Sequence, residues 1–320
     1  MSSKVPTSLY FIIIFLIVVE IIVLMPDRVD FSTTMQVEEK DFHTEADLYI
    51  DDFQLVETKS PHRYWTLNAE GAFLFREFDL GVLNSLRGKL VDEDIQKVSV
   101  TGKHGLIFVG DQALLLRDEV EAVTAEGYRL TADYFWYDNK KQLLKTASPV
   151  LLVGPDPEKP ALRVSGQGLT ASMDTQQHEI LQNVRGHREY ENEPPLDISA
   201  GYGRVDTAKQ VADFREGVVV QKGDLKITSD QFRVRYLQKS REIDWASAKG
   251  NVRLWEGDWH GTAREAILRG QNRFVELRGG VTMRRGNDRV SGEVVTFDRM
   301  NKKMIIEKVA AEFEPPEGGT

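Results

Sequence analysis

The side chains in this sequence that could do chemistry are few and scattered. The six histidines, His43, His62, His104, His178, His187 and His260, form no H-E-x-x-H or other ligand spacing. Surface histidine is the simpler reading, and no metal site is expected. There is no G-x-x-x-x-G-K-[ST] loop for a phosphate and no G-x-S-x-G turn for a nucleophile. Gly166-Gln167-Gly168 and Gly201-Tyr202-Gly203 are too short to cradle phosphates and read as corner glycines. Asp92-Glu93-Asp94 and the run Glu189 to Glu193 lack the order of a calcium loop and read as solvated loops. The densest cluster is Trp255, Glu256, Asp258 and Trp259. It fits either sugar stacking or a β-hairpin with partly buried tryptophans. Paired glycosidase-like carboxylates stay compatible with a repeat that places acids across turns. No catalytic residue, metal or cofactor is assigned.

The composition narrows the classes further. The chain has 320 residues, a formal charge of −9 and no cysteine. A net negative charge gives no support to nucleic-acid binding. The lack of cysteine excludes a disulfide framework and a thiolate metal site, and it says nothing against export. Val, Ile, Leu and aromatics recur throughout, which is the composition of a folded chain.

The N-terminus carries the one long apolar run. Leu9 to Met25 is interrupted only by Glu20. As a helix it would be about 25 Å long, near the lower limit for a membrane span. Lys4 and the terminal amine precede it, and Asp27, Arg28 and Asp30 follow, so a cytoplasmic N-terminus is favoured. The competing reading is a cleaved signal peptide, but Met25-Pro26-Asp27-Arg28 offers no small-x-small site. Glu20 either faces a partner helix or sits close enough to the outer interface to reach water.

Beyond the anchor the pattern is all-β, with short β-rich runs between turn residues. A small residue is followed six positions later by a polar one: Ala132 and Asp138, Gly168 and Asp174, Ala200 and Asp206, Ser229 and Arg235, Ala263 and Arg269, Gly292 and Asp298. A valine keeps the same rhythm at Val150, Val184, Val218, Val252, Val281 and Val309. The units recur about every 29–36 residues, the mark of a β-repeat array. Within a unit the apolar parity changes. Leu225, Ile227 and Ser229 share one parity, and Phe232, Val234 and Tyr236 the other. Leu162, Val164 and Gly166 are likewise followed by Leu169, Ala171 and Met173. A flat strand cannot do this with one buried face, whereas a corner or bulge at the small residue can. Each unit is therefore expected to give strands to two facing antiparallel sheets. The residues nominated as inward are Leu162, Val164, Leu169, Met173, Leu225, Ile227, Phe232, Val234, Val252, Leu254, Val281 and Met283. Core packing and ligand contact are both open readings for them.

Several segments resemble a known family. His62-Arg63-Tyr64-Trp65-Thr66-Leu67-Asn68-Ala69-Glu70 resembles the W-x-L-x-A segment of LptC-type lipopolysaccharide export proteins. The run GYRLTADYFWYD from Gly127, continued by Lys145-Thr146-Ala147-Ser148-Pro149-Val150, is similar to their G-x-x-L-x-T…pV pattern. Gly166-Gln167-Gly168-Leu169 resembles their G-x-G-L element, and residues 195–311 resemble the OstA-like repeats of LptA. An LptC-type protein would end near residue 190, so the chain looks like an LptC-type unit with an LptA-like extension. Whether a separate LptA is still needed stays open.

The resemblance implies an open β-jellyroll on a single transmembrane helix. Its segments would be 1–7 in the cytoplasm, an anchor at 8–26 and a tether at 27–46. An LptC-like unit at 47–190, LptA/OstA-like repeats at 191–311 and a tail at 312–320 would follow. The implied partners are lipopolysaccharide, the inner-membrane ABC transporter of the Lpt system, and a periplasmic LptA-like or outer-membrane LptD-like β-jellyroll. The bulk of the chain would lie in the periplasm, and ATP would be hydrolysed by the transporter. The alternative is a membrane-anchored extracytoplasmic β-repeat enzyme or structural protein that binds polysaccharide.

Overall fold

The computed structural model describes residues 46–312, apart from 61–62, 94, 139, 142, 173, 238–242, 270–272 and 302. The expected anchor with Glu20, the segment before it, nearly all of the tether, Met173 and all but the first residue of the tail lie outside the described residues. Among the described residues no helix is long and apolar enough to cross a membrane. Their long regular elements are β-strands.

The chain divides into two compact units, Met1–Pro160 with Gln167–Gln176, and Ala161–Gly166 with Gln177–Thr320. In the first, β1 (Leu48–Ser60), β2 (Arg63–Phe75), β3 (Leu80–Asp92), β4 (Ile95–Phe108), β5 (Ala113–Thr124), β6 (Arg129–Asp138) and β7 (Leu143–Gly154) run as an antiparallel meander. Phe73, Leu83, Leu90, Leu116, Val120 and Tyr137 are its largest fully buried side chains. β8 (Leu162–Ser172) gives its first residues to the second unit and the rest to the first.

The second unit opens with β9 (Gln177–Arg188). β10 (Leu196–Ala200) and β11 (Tyr202–Asp206) then share one strand position, each pairing with β9 on one side and β12 (Val211–Lys222) on the other. The break between them is Gly201, whose N–H donates to the Glu216 carbonyl at 2.8 Å. β13 (Leu225–Tyr236), β14 (Ile243–Glu256), β15 (Trp259–Arg269), β16 (Phe274–Arg285), β17 (Asp288–Asp298) and β18 (Lys303–Glu312) continue the meander.

These strands bend in the middle by a repeated device. On β5, β12, β14 and β16 two successive residues adopt left-handed backbone: Asp118-Glu119, Glu216-Gly217, Gly250-Asn251 and Gly279-Gly280. Each pair lies opposite one residue of the next strand, in turn Asp133, Asp230, Arg264 and Glu293. Two residues against one is a β-bulge, which bends and twists the strand. The next residue is Val120, Val218, Val252 or Val281, each only 1% exposed. Directly across from these valines are Ala132, Ser229, Ala263 and Gly292. The two sequence markers keep step because they are ladder partners at the corner. A small partner leaves room for the valine where the inward side chains of two half-sheets converge.

The corner also explains the change of parity. On β13 the buried residues are Leu225, Ile227 and Ser229 before it and Phe232 after it. On β17 the buried apolar residues are Val290 before it, then Val295 and Phe297. The polar marker six positions on ends the strand. The Asp138, Asp206 and Asp298 carboxylates accept the backbone N–H three residues later, at 3.0, 2.9 and 3.2 Å, and so close the turns.

Asp298 gives these turns a measurable signature. A hydrogen bond from the Arg273 guanidinium is the main cause holding its carboxyl down at about 2. Burial opposes this, and the Asn301 side chain and backbone N–H groups assist. A carboxyl lowered on folding contributes stability that is present above its unfolded value, about 4, and is lost as pH falls through its folded value. Asp298→Asn is therefore expected to be less stable than the native chain at pH 7. The gap should close between about pH 4 and pH 2. Denaturant unfolding followed by circular dichroism across that range checks it; a gap undiminished at pH 2 would sink the assignment.

Candidate functional site

The second unit has an apolar interior. Leu225, Ile227, Phe232, Val252, Leu254, Val281 and Met283 are all buried there in one cluster, and half-buried Val234 packs against it. The structure thus brings together eight of the residues singled out from the sequence. Leu169 is buried in the first unit, while Leu162 and Val164 are half-buried and belong with the second. The same parity rule reaches residues the sequence reading passed over, among them Ala246, Ala248, Leu268, Val275, Leu277 and Val295. The surface is hydrocarbon, with hydroxyls such as that of Ser229, which donates to the Gln231 carbonyl at 2.9 Å. Among the described residues no group of side chains could hold a metal ion. Such a surface can shelter apolar chains, and it presents no group of its own for acid–base or nucleophilic work.

One contact shows how far the half-sheets fold back. Arg299 Nε donates to Glu256 Oε1 at 3.0 Å. Glu256 ends β14, and Arg299 lies in the turn after β17. Three strands and their reversals separate them, so they stand at opposite ends of the ladder. β15, β16 and β17 have 11, 12 and 11 residues. At about 3.3 Å per residue, the two ends of a flat ladder would lie more than 30 Å apart. They meet because each strand turns at its corner and brings its ends together as two rims. The space between the rims is the mouth of the interior.

The rim at Glu256 carries a row of unlike side chains. Leu225 pairs with Glu256, Glu256 with Trp259, and all three share the inward parity of Leu254, Ile227 and Gly261. Arg285 also has inward parity and stands 5.5 Å over the Trp259 ring. Trp259 packs against the apolar cluster. Trp255 has the opposite parity and looks outward, 5.6 Å from the Lys226 ammonium and 6.5 Å from the His260 ring. The two tryptophans therefore do not form one sugar-stacking surface: the hairpin places them on opposite faces. The Glu256 and Arg299 side chains are only 16% and 21% exposed, and Glu256 Oε2 is buried without a hydrogen-bond partner. Arg299 was not legible as a site residue, because only the folding-over of the sheet brings it to Glu256.

The described histidines take ordinary places, and His43 and His62 lie outside the described residues. The His187 ring nitrogens stand 2.7 Å from an Asp197 oxygen and 2.9 Å from a Glu189 oxygen, and hydrogen bonds donated to these carboxylates raise its pKa above the usual imidazole value. His178 is held below it by burial. His104 meets Asp118 at 2.8 Å, beside the β5 corner.

The comparisons with known proteins divide along the chain. A family model described as "Lipopolysaccharide-assembly, LptC-related" matches residues 10–191. A second, "LptA/(LptD N-terminal domain) LPS transport protein", matches residues 197–303. No curated protein matches the chain. Among solved structures the chain is similar to LptH, the LptA homologous periplasmic component of the conserved lipopolysaccharide transport device from Pseudomonas aeruginosa. The identity is 13% and the TM-score 0.36, over 38% of this chain and 96% of that one. The LptC-related match spans more than half of the 320 residues. The chain belongs to the LptC-related family of lipopolysaccharide-assembly proteins, and an LptA/LptD N-terminal type segment follows its LptC-related segment.

Proposed function

We propose that this chain is a non-enzymatic carrier of lipopolysaccharide across the periplasm. It is held in the inner membrane by the single span at 8–26, with the bulk of the chain in the periplasm. It accepts the glycolipid from an inner-membrane ABC transporter, which supplies the energy. It passes the glycolipid on to an LptA-like or LptD-like β-jellyroll. Residues 47–190 form the LptC-like unit and 191–311 the LptA/OstA-like extension. The observation that carries the reading is the apolar interior of a folded-over sheet, bounded by a polar mouth, in a chain of a lipopolysaccharide-assembly family. Acyl chains lie between the half-sheets while sugars and phosphates stay at the rims. Its own side chains fill this interior, so acyl chains enter by parting the rims. Glu20 packs the anchor against transporter helices.

The chain joins its neighbours by β-augmentation, a transporter-side jellyroll along β1 and the next bridge unit along β18. β1 pairs with β2 and β18 with β17, both antiparallel.

Photo-crosslinking in living cells tests both halves of the proposal. Crosslinkers at Ile227, Phe232 or Leu254 should capture lipopolysaccharide in an ATP-dependent way, and those at Thr228 or Arg253 should not. Equal capture on both parities would place the glycolipid on the outside and end the interior reading. A crosslinker at the exposed Ile305 of β18 should capture an LptA-like or LptD-like protein, and capture of neither counts against the edge model.

A further inference from the structure

The mouth of the second unit holds a feature that carriage of acyl chains does not require. A carboxylate on one rim is bonded to a guanidinium on the other, both mostly sheltered from water. An ion pair so placed is expensive to desolvate and is not needed to stabilise a sheet whose corners already carry deeply buried valines. Its placement decides something else: it ties the two rims together across the mouth. The carboxylate is also poorly satisfied, since Glu256 Oε2 is buried without a hydrogen-bond partner. A phosphate offers a guanidinium two or three oxygens, a better match to its fork of donors than the single Glu256 oxygen that Nε meets. Beside it, Trp259 and Arg285 supply an aromatic face and a second cation on the inward side of the rim.

We propose that Glu256 and Arg299 form a latch across the mouth of the second unit, and that the phosphate of a phosphorylated, multiply acylated sugar opens it by taking Arg299 from Glu256. This rests on the reading of the interior as the path of an amphiphile. The phosphate binds the freed Arg299 and Arg285, the sugar ring lies against Trp259, and the acyl chains follow between the half-sheets. Glu256, left without its cation, swings to water. The latch thus couples entry of the chains to arrival of the correct headgroup. An amphiphile with acyl chains but no phosphate meets a closed mouth.

The test uses the full-length chain in nanodiscs and two probes, lipid A and its dephosphorylated form. Capture is read by a photo-crosslinker at Ile227. The native chain should capture lipid A about tenfold more strongly than the dephosphorylated probe, the worth of one charge-assisted contact. Arg299→Gln should abolish that preference. Glu256→Gln should leave it intact and raise capture of both probes, because the cation is no longer held. A residue pair that merely stabilised the fold would lower capture in both variants.

A second arm avoids the question of stability. The chain has no cysteine, so Glu256→Cys with Arg299→Cys can be bridged specifically by a short reagent with two methanethiosulfonate groups. Bridging should stop capture, and a reductant should restore it; a one-armed reagent should have no effect. Capture that persists in the bridged chain, or an undiminished phosphate preference in Arg299→Gln, overturns the latch while leaving the interior path standing. Absence of capture of either probe by the native chain overturns the interior path, and the latch with it. Capture of phosphatidylglycerol as strong as that of lipid A would show that a phosphate alone suffices and overturn the role given to the sugar and Trp259.

Discussion

Ile227→Arg should unfold the second unit, whereas Thr228→Arg, one residue on, should leave it folded. Ile227 is 1% exposed and lies directly across from Val220 and Leu254, both buried. An arginine there meets the apolar cluster, and the inward carboxylate diagonal to it on β14, Glu256, is already bonded to Arg299. Burying an unpaired charge costs several kcal/mol, against a total stability of about 5–15 kcal/mol for a domain. Thr228 has the outward parity and pairs with Val219 and Arg253. An arginine there adds a like charge beside Arg253, worth less than about 1 kcal/mol. Denaturant unfolding of the full chain, followed by circular dichroism, reads both. If the two variants have similar midpoints, the faces of β13 have been assigned wrongly. Arginine on the outer face should also leave lipopolysaccharide transport unchanged, so Thr228→Arg separates the surface of the sheet from its interior.

The parity of β13 was legible because it depends only on local pattern. Leu225, Ile227 and Ser229 alternate, Phe232 restarts on the other parity, and the chain cannot bury both sets without a corner. The rhythm of valines and small residues was legible for the same reason. Its cause was not: a single sequence shows that Val252 and Ala263 recur in step, but not that they face each other across a ladder. The left-handed pairs were half visible. Gly279-Gly280 announces such a corner, while Asp118-Glu119 does it with two residues that rarely adopt this backbone, so no composition rule finds it. The mouth was the least legible part. Glu256 stood out beside two tryptophans, but its partner is 43 residues away and is brought near by the sum of several corners. Of the two readings of the tryptophans, sugar stacking and a β-hairpin with partly buried rings, the structure shows the hairpin, which turns at Gly257 and sets the rings on opposite faces.

Deleting Gly217 should be far more damaging than replacing it, and the difference measures what the bulge does. Gly217 has φ +66°, and a Cβ built on it would meet nothing within 4 Å. Gly217→Ala therefore costs only the local strain of a left-handed alanine, about 1 kcal/mol. Its neighbour Glu216 already bears a side chain at φ +69°. Deletion removes one of the two residues that oppose Asp230 and makes the ladder between β12 and β13 regular. In a regular strand, residues three apart point to opposite faces. Phe214 and Val218 would then be three apart, the spacing at which β13 buries both Ser229 and Phe232 by turning its own corner, so β12 keeps Val218 and Val220 on the cluster only by taking up that turn and otherwise points them away. Each loses about 1.5–3 kcal/mol of burial, together enough to remove much of the stability of the unit. A β12 that copied the corner of β13 would escape this cost and leave the register of β13 with β14 unchanged. Unfolding midpoints of the two variants decide it. If deletion is tolerated as well as Gly217→Ala, corners elsewhere in the sheet impose the bend and the bulge of β12 merely follows it.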